Sequence, residues 1–222
     1  MENLLFLVLY FIFAGLSIVV ILIKQEKMQY IFKPLLIPLL IMYYIFNIPI
    51  ENVDWFIVAG MTCGLVGNIF FMHIKEKEMF LNGLIVHSVG HGFYVFSFFF
   101  YIINFSSFRL WKLFLMAPSI IIVLITYYKI KNDYTSIKIA MISYIAIVLM
   151  MNLFSIFRLP ASEGGDFWLL WVGTSFLLIS SILIALNEFY EMIPFSEATR
   201  LGIYFLAQFF IVQGVLITTL SA

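Results

Sequence analysis

Charge is scarce in this chain. Twelve basic and twelve acidic residues are spread over 222 positions, 11% of the total, and they cancel to a formal net charge of zero. A nucleic-acid-binding protein needs a basic face to meet phosphates, so this balance and a pI of about 6.8 argue against that class. Cysteine is rarer still. Cys63 alone rules out an internal disulfide, and its apolar neighbours suit a small packing residue better than a reactive thiol. Histidine occurs three times, at 73, 87 and 91. His87 and His91, four apart, could share a metal, but a closed site needs three or four protein ligands. His73 falls in a loop and no acidic residue joins the pair, so neither a metal nor another cofactor is expected. Long polar segments are missing too. No loop could hold a soluble domain, so any chemistry belongs to the apolar body of the chain.

That body is large. Apolar residues make up 64% of the sequence, mean hydropathy is +1.10, and the runs between charges often reach the length of a bilayer-spanning helix, about 20 residues. Helices are expected at 4–23, 32–50, 54–72, 80–103, 110–128, 137–157, 166–187 and 200–220. The short connections hold most of the charge. Residues 1–222 are read as one domain: an all-α membrane protein, a bundle of about eight transmembrane helices. The opening Met-Glu-Asn lacks the basic start of a signal peptide, and no small-residue cleavage site follows, so 4–23 is read as a retained first helix. The abundant phenylalanine (26 residues) is read as lipid-facing or packing surface.

Basic residues set the orientation. Alternate loops, beginning with the first, carry Lys24, Lys27, Lys33, Lys75, Lys77, Lys129, Lys131, Lys138 and Arg200, against Arg109, Lys112 and Arg158 in the other set. This asymmetry puts the first loop in the cytoplasm and both termini on the non-cytoplasmic side. A bacterial inner membrane and a eukaryotic endoplasmic reticulum membrane fit equally.

A polar group in hydrocarbon is expensive, so the few inside these helices are candidates for function. At about 1.5 Å of rise per residue, Asn68 lies roughly 6–8 Å from the cytoplasmic end, Ser181 roughly 9 Å, and Tyr144 roughly 10 Å. Gln208 lies roughly 12 Å in, and His87 and His91 roughly 10–16 Å. Lys33 and Glu188 mark the rim. His87 and His91 share one helix face, as do Tyr204 and Gln208, while Thr174, Ser181 and Glu188 recur every seven residues as a stripe. Gly60, Gly64 and Gly67 form a small-residue track beside Asn68, suited to close helix packing. Taken singly, each Ser, Thr or Tyr reads as an interhelical hydrogen bond. Taken together at one depth, they read as a polar cavity facing the cytoplasm. Pro34 and Pro38 are placed near a helix start and Pro118 at a kink, with no paired interruption at mid-membrane of the kind that marks a transporter.

Five segments in order carry a resemblance. Lys33-Pro34-Leu35 opens the second helix; Gly64-Leu65-Val66-Gly67-Asn68 closes the third. Gly83 through Tyr94 holds His87 and His91. Phe176 through Ser181 is followed by Ala185-Leu186-Asn187, and Tyr204-Phe205-Leu206-Ala207-Gln208 lies in the last helix. Together these resemble the YhhN family of eight-helix membrane proteins that includes the lysoplasmalogenases. The resemblance implies a lysoplasmalogenase-like membrane hydrolase that takes a lipid from the bilayer. Such an enzyme cleaves the vinyl ether of a lysoplasmalogen to a fatty aldehyde and a glycerophospho-base. It implies catalytic work at Asn68 and Ser181, where the family carries two aspartates, with His87 and His91 beside them. Substrate contacts then fall to Lys33, Tyr94, Tyr144, Ser180, Tyr204 and Gln208.

The departures at Asn68 and Ser181 matter chemically. Vinyl ether cleavage begins with protonation of carbon, and neither an amide nor a hydroxyl delivers a proton at neutral pH. A positioned acid–base group is worth about 100- to 10,000-fold in rate, so loss of both aspartates leaves little activity by the same route. Two readings stay open: a hydrolase in which His87, with an ordinary pKa of about 6.5, carries the proton, or a non-catalytic lysolipid- or aldehyde-binding membrane protein. Glu188 is too near the rim for direct proton transfer. Oligomeric state is not legible.

Overall fold

A computed structural model describes residues 2–73, 76–100, 110–130, 136–157, 166–190 and 193–220. Every regular element among them is helical. Eight α-helices follow in order: α1 (Glu2–Leu22), α2 (Glu26–Phe46), α3 (Trp55–Phe71), α4 (Lys77–Phe100), α5 (Ala117–Lys129), α6 (Ser136–Phe157), α7 (Asp166–Phe189) and α8 (Ser196–Leu220). Short 3-10 helices at Ile50–Asn52 and Leu110–Met116 precede α3 and α5. Six of the eight, all but α3 and α5, are long and apolar enough to cross a membrane. Large apolar side chains stay exposed around the bundle, among them Leu4, Phe46, Val66, Phe96, Leu124 and Ile139. A soluble protein would not tolerate so much, and this outer surface is what a multi-pass integral membrane protein presents to lipid. Lys75, Lys131, Arg109 and Arg158, four of the residues behind the expected orientation, lie outside the described residues.

Two helices differ from expectation in ways that matter. α2 starts at Glu26 rather than at 32, because Glu26 to Gln29 are adequate helix formers and extend the helix by more than a turn. Lys33 therefore sits two turns inside the helix, and Pro34 and Pro38 are interior rather than near its start. Neither proline has an N–H, so the carbonyls of Tyr30 and Pro34 lose their usual donors one turn on. Pro118, expected at a kink, lies instead in the first turn of α5, where an N–H is spare. The 3-10 segment ahead of it adds roughly 14 Å to the roughly 20 Å of α5, so the two together match a span that α5 alone does not.

The most extensive helix contacts are α7 with α8 and α3 with α4; α1 lies on α2, α4 on α6, and α6 on α7. The small-residue track is the α3–α4 seam. A Cβ on Gly90 would meet the Cβ of Cys63 at 2.8 Å, and one on Gly60 would meet the Gly90 carbonyl at 3.0 Å. Backbones approach this closely only because both positions lack side chains, and the gain is dispersion contact along the whole seam.

Polar side chains fasten the end of the bundle where α3 begins. Asp54 caps α3 by accepting from the Phe56 N–H at 3.0 Å, and its other carboxylate oxygen accepts from Ser97 of α4 at 2.6 Å. Deeper in, Asn152 of α6 joins three helices. Its Nδ2 donates to Thr174 at 2.9 Å and Ser175 at 3.0 Å on α7, and its Oδ1 accepts from Ser119 of α5 at 3.0 Å. Such bonds average about 0.6 kcal/mol each within membranes, so the trio orients the helices more than it holds them.

Candidate functional site

Five helices bring polar groups together at the end where α2, α4, α6 and α8 begin. α4 sets His87 and His91 one turn apart on its inner face, and their rings meet edge to face at 5.8 Å. Tyr144 of α6 packs edge-on to His91 at 5.4 Å and stands 6.2 Å from His87. Tyr204 of α8 meets His87 at 6.0 Å. Phe71, at the end of α3, stacks on His87 at 4.9 Å. Asn68, one turn before Phe71, lies near the Tyr204 hydroxyl without closing a hydrogen bond to it. Gly64 and Gly67 make room on α3: a Cβ at Gly64 would stand 2.8 Å from the Tyr204 oxygen.

Asn68 and Ser181, the two positions where the resemblance implies aspartates, are both in this cluster and both buried. They do not bond to each other. Ser181 donates to the Tyr144 hydroxyl at 2.9 Å and lies 2.8 Å from the Leu177 carbonyl of its own helix. The other expected contacts divide. Tyr94 donates to Gln208 Oε1 at 2.8 Å, a buried pair linking α4 to α8. Ser180 donates to the Arg200 carbonyl at 3.1 Å across the α7–α8 seam. Lys33 donates to Glu197 at 2.9 Å and to Gln29 at 2.7 Å. These three bind helix to helix or close the rim.

The expected stripe on α7 is not one lining. Thr174 belongs to the Asn152 network, Ser181 to the tyrosine–histidine cluster, and Glu188 is exposed. Positions seven apart lie roughly 10 Å apart along the axis, so Thr174 and Ser181 meet α6 at different depths. The cluster is enclosed within the bundle. His87, His91, Tyr144, Ser181 and Tyr204 are all buried, ring against ring. One pocket of about 290 Å³ lies at Asp54, Trp55 and Ser97, and an apolar one of about 120 Å³ lies between α5 and α6.

What sets the cluster apart is unfinished hydrogen bonding. Six buried side-chain atoms among the described residues have no partner. Four are here: His87 Nδ1, His87 Nε2, His91 Nε2 and the Tyr204 hydroxyl. An unmade bond in a buried site costs about 1–3 kcal/mol, and four of the six fall in this one cluster. One tautomer is fixed by the fold. His91 Nδ1 donates to the His87 carbonyl, which can only accept, so in the neutral ring Nε2 carries the lone pair. Among the described residues no three metal-ligating side chains come together.

Arg200 was missed by sequence reasoning, which counted it as a loop charge at the start of the last helix. α8 begins four residues earlier, and Arg200 is buried in its second turn with its guanidinium 5.8 Å over the Phe71 ring. It is close enough to His87, Tyr144 and Tyr204 to act on each electrostatically. The signal was present: Arg200, Tyr204 and Gln208 are spaced by four on one face.

Comparison with curated proteins and with solved structures finds no match. A family model described as the YhhN family matches residues 28–215, which take in every site residue from Lys33 to Gln208, and the chain belongs to that family.

Proposed function

We propose that this protein is a lysoplasmalogenase-like membrane hydrolase in which the histidine pair stands in for the family's two aspartates. Family membership supports the reaction class, and the unpartnered nitrogens of His87 and His91 beside Asn68 and Ser181 carry the assignment. The reaction consumes one water. A proton goes to the outer vinyl carbon, water adds to the resulting oxocarbenium carbon and loses a proton, and the hemiacetal collapses to aldehyde and glycerol hydroxyl. His87 as imidazolium supplies the first proton, and His91 Nε2, bare in its fixed tautomer, takes one from the attacking water. Tyr144, against both rings, and Tyr204, against His87, orient the water. Asn68 and Ser181 contribute hydrogen bonds and no proton.

The test is fatty-aldehyde release from lysoplasmenylethanolamine by the purified protein. Release that falls about 100- to 10,000-fold in His87→Ala supports the reading. Release only by the Asn68→Asp/Ser181→Asp double variant refutes it and points to a second reading, a lysolipid- or aldehyde-binding protein without turnover. One observation favours that second reading: among the described residues no carboxylate is found in the cluster, and Glu188, the acid nearest in sequence to Ser181, is exposed. Silence from both forms overturns the substrate class.

A further inference from the structure

The Lys33–Glu197 ion pair and Arg200 lie together at the same end of the bundle, between the rim and the histidine cluster. Lys33 is buried while Glu197 reaches outward, with side chains 6% and 53% exposed. Two of the three ammonium protons are taken, by Glu197 and Gln29. Arg200 is different. It is 7% exposed, yet its guanidinium makes no hydrogen bond or ion pair among the described residues, and its one close partner is the Phe71 ring. Its backbone carbonyl, by contrast, is held by Ser180.

A guanidinium on a residue only 7% exposed offers five donors and cannot shed its charge. Since none of its nitrogens is among the enclosed unpartnered atoms, they reach the surface, where an anion can complete them. Glu197 is near enough to be felt but is bonded to Lys33. The donors of Arg200 therefore await an acceptor that the described residues do not provide. Guanidinium geometry matches two oxygens of a phosphate or carboxylate, and the neighbouring Lys33 adds a second positive charge.

We infer that Arg200, assisted by Lys33, is an anion site that takes the phosphate of a single-chain phospholipid. The inference rests on the lipid-site reading above for the identity of the lipid, but the anion chemistry stands on Arg200 alone. Position supports it. Arg200 and His87 lie against the same Phe71 ring, at 5.8 Å and 4.9 Å, so the two are separated by no more than those two distances combined. A glycerol joins phosphate to the sn-1 ether oxygen over a span of this order. Phosphate on Arg200 would place the ether beside the histidines and direct the chain along the apolar interior. The site would thus select phosphate-bearing lipids over neutral glycerol ethers.

The test compares binding of three probes by the full-length protein in nanodiscs: lysophosphatidylethanolamine, a 1-O-alkylglycerol of equal chain length, and inorganic phosphate. Unaltered protein and Arg200→Lys are expected to prefer the lysophospholipid over the alkylglycerol, the unaltered protein by roughly 10- to 100-fold, the scale of a charge-assisted contact. Arg200→Gln is expected to lose that preference and keep its affinity for the alkylglycerol, which also shows that it is folded. An Arg200→Gln variant that retains the preference overturns the anion site and leaves the lipid site standing. Binding of phosphate through Arg200 with no lipid bound keeps the anion site and removes the lipid. Binding of none of the three overturns both.

Discussion

The imidazole of His87 lies against bare backbone at Gly67. A Cβ there would fall 2.5 Å from Cδ2 and 2.7 Å from Nε2 of the ring, distances that real carbon atoms do not reach. The residue before Asn68 thus governs where the histidine can sit, and an apparently inert glycine becomes part of the cluster.

Gly67→Ala should therefore displace His87, which is hemmed in by Phe71, His91, Tyr144 and Tyr204. Overpacking of this kind costs about 1–3 kcal/mol. Gly92→Ala, with nothing within 4 Å of its would-be Cβ, should be neutral or stabilising by up to about 1 kcal/mol. Thermal unfolding in detergent checks both, and equal effects would count against the packing seen at Gly67.

His91 should hold its proton on Nδ1. In the neutral ring the bond to the His87 carbonyl demands that tautomer. Nitrogen-15 spectra of histidine-labelled protein would separate the two ring nitrogens. A neutral His91 protonated on Nε2 would remove the general base assigned above.

The Lys33–Glu197 pair should be asymmetric. Lys33→Met leaves a half-exposed carboxylate that water can solvate, so the change should stay within about 1 kcal/mol. Glu197→Ala leaves a buried ammonium with Gln29 as its remaining acceptor and should cost about 1–3 kcal/mol. Chemical denaturation of the two variants side by side gives the comparison, and a larger loss for Lys33→Met would contradict it.

Asn152→Ala should loosen the contact of α5 and α7 with α6, since Ser119, Thr174 and Ser175 all lose a partner. The expected loss is about 0.5–2 kcal/mol, shared over bonds that are individually weak in a membrane. Lipid binding at the histidine cluster should be unchanged, because Asn152 lies two turns of α6 from Tyr144. A loss of binding without a loss of stability would mean the two networks are coupled.

Composition and residue spacing were enough to read an all-α membrane protein and its polar helix faces, because hydrocarbon tolerates neither unpaired backbone nor stray charge. Apolar length placed the helices, four-residue spacing paired His87 with His91 and Tyr204 with Gln208, and the glycine track foretold close packing along α3 without naming its partner helix. Helix ends were the weak point. Starting α2 at 32 put its prolines near the entrance, and starting α8 at Arg200 made a buried arginine look like a loop charge. Partnership needed the fold. One-dimensional spacing states which face a side chain occupies, not which neighbour completes its hydrogen bonds. Only tertiary packing paired Ser181 with Tyr144 instead of Asn68 and tied Tyr94 to Gln208. The same packing left both His87 nitrogens, His91 Nε2 and the Tyr204 hydroxyl without partners among the described residues, since whether a polar group is satisfied depends on residues far away in the chain.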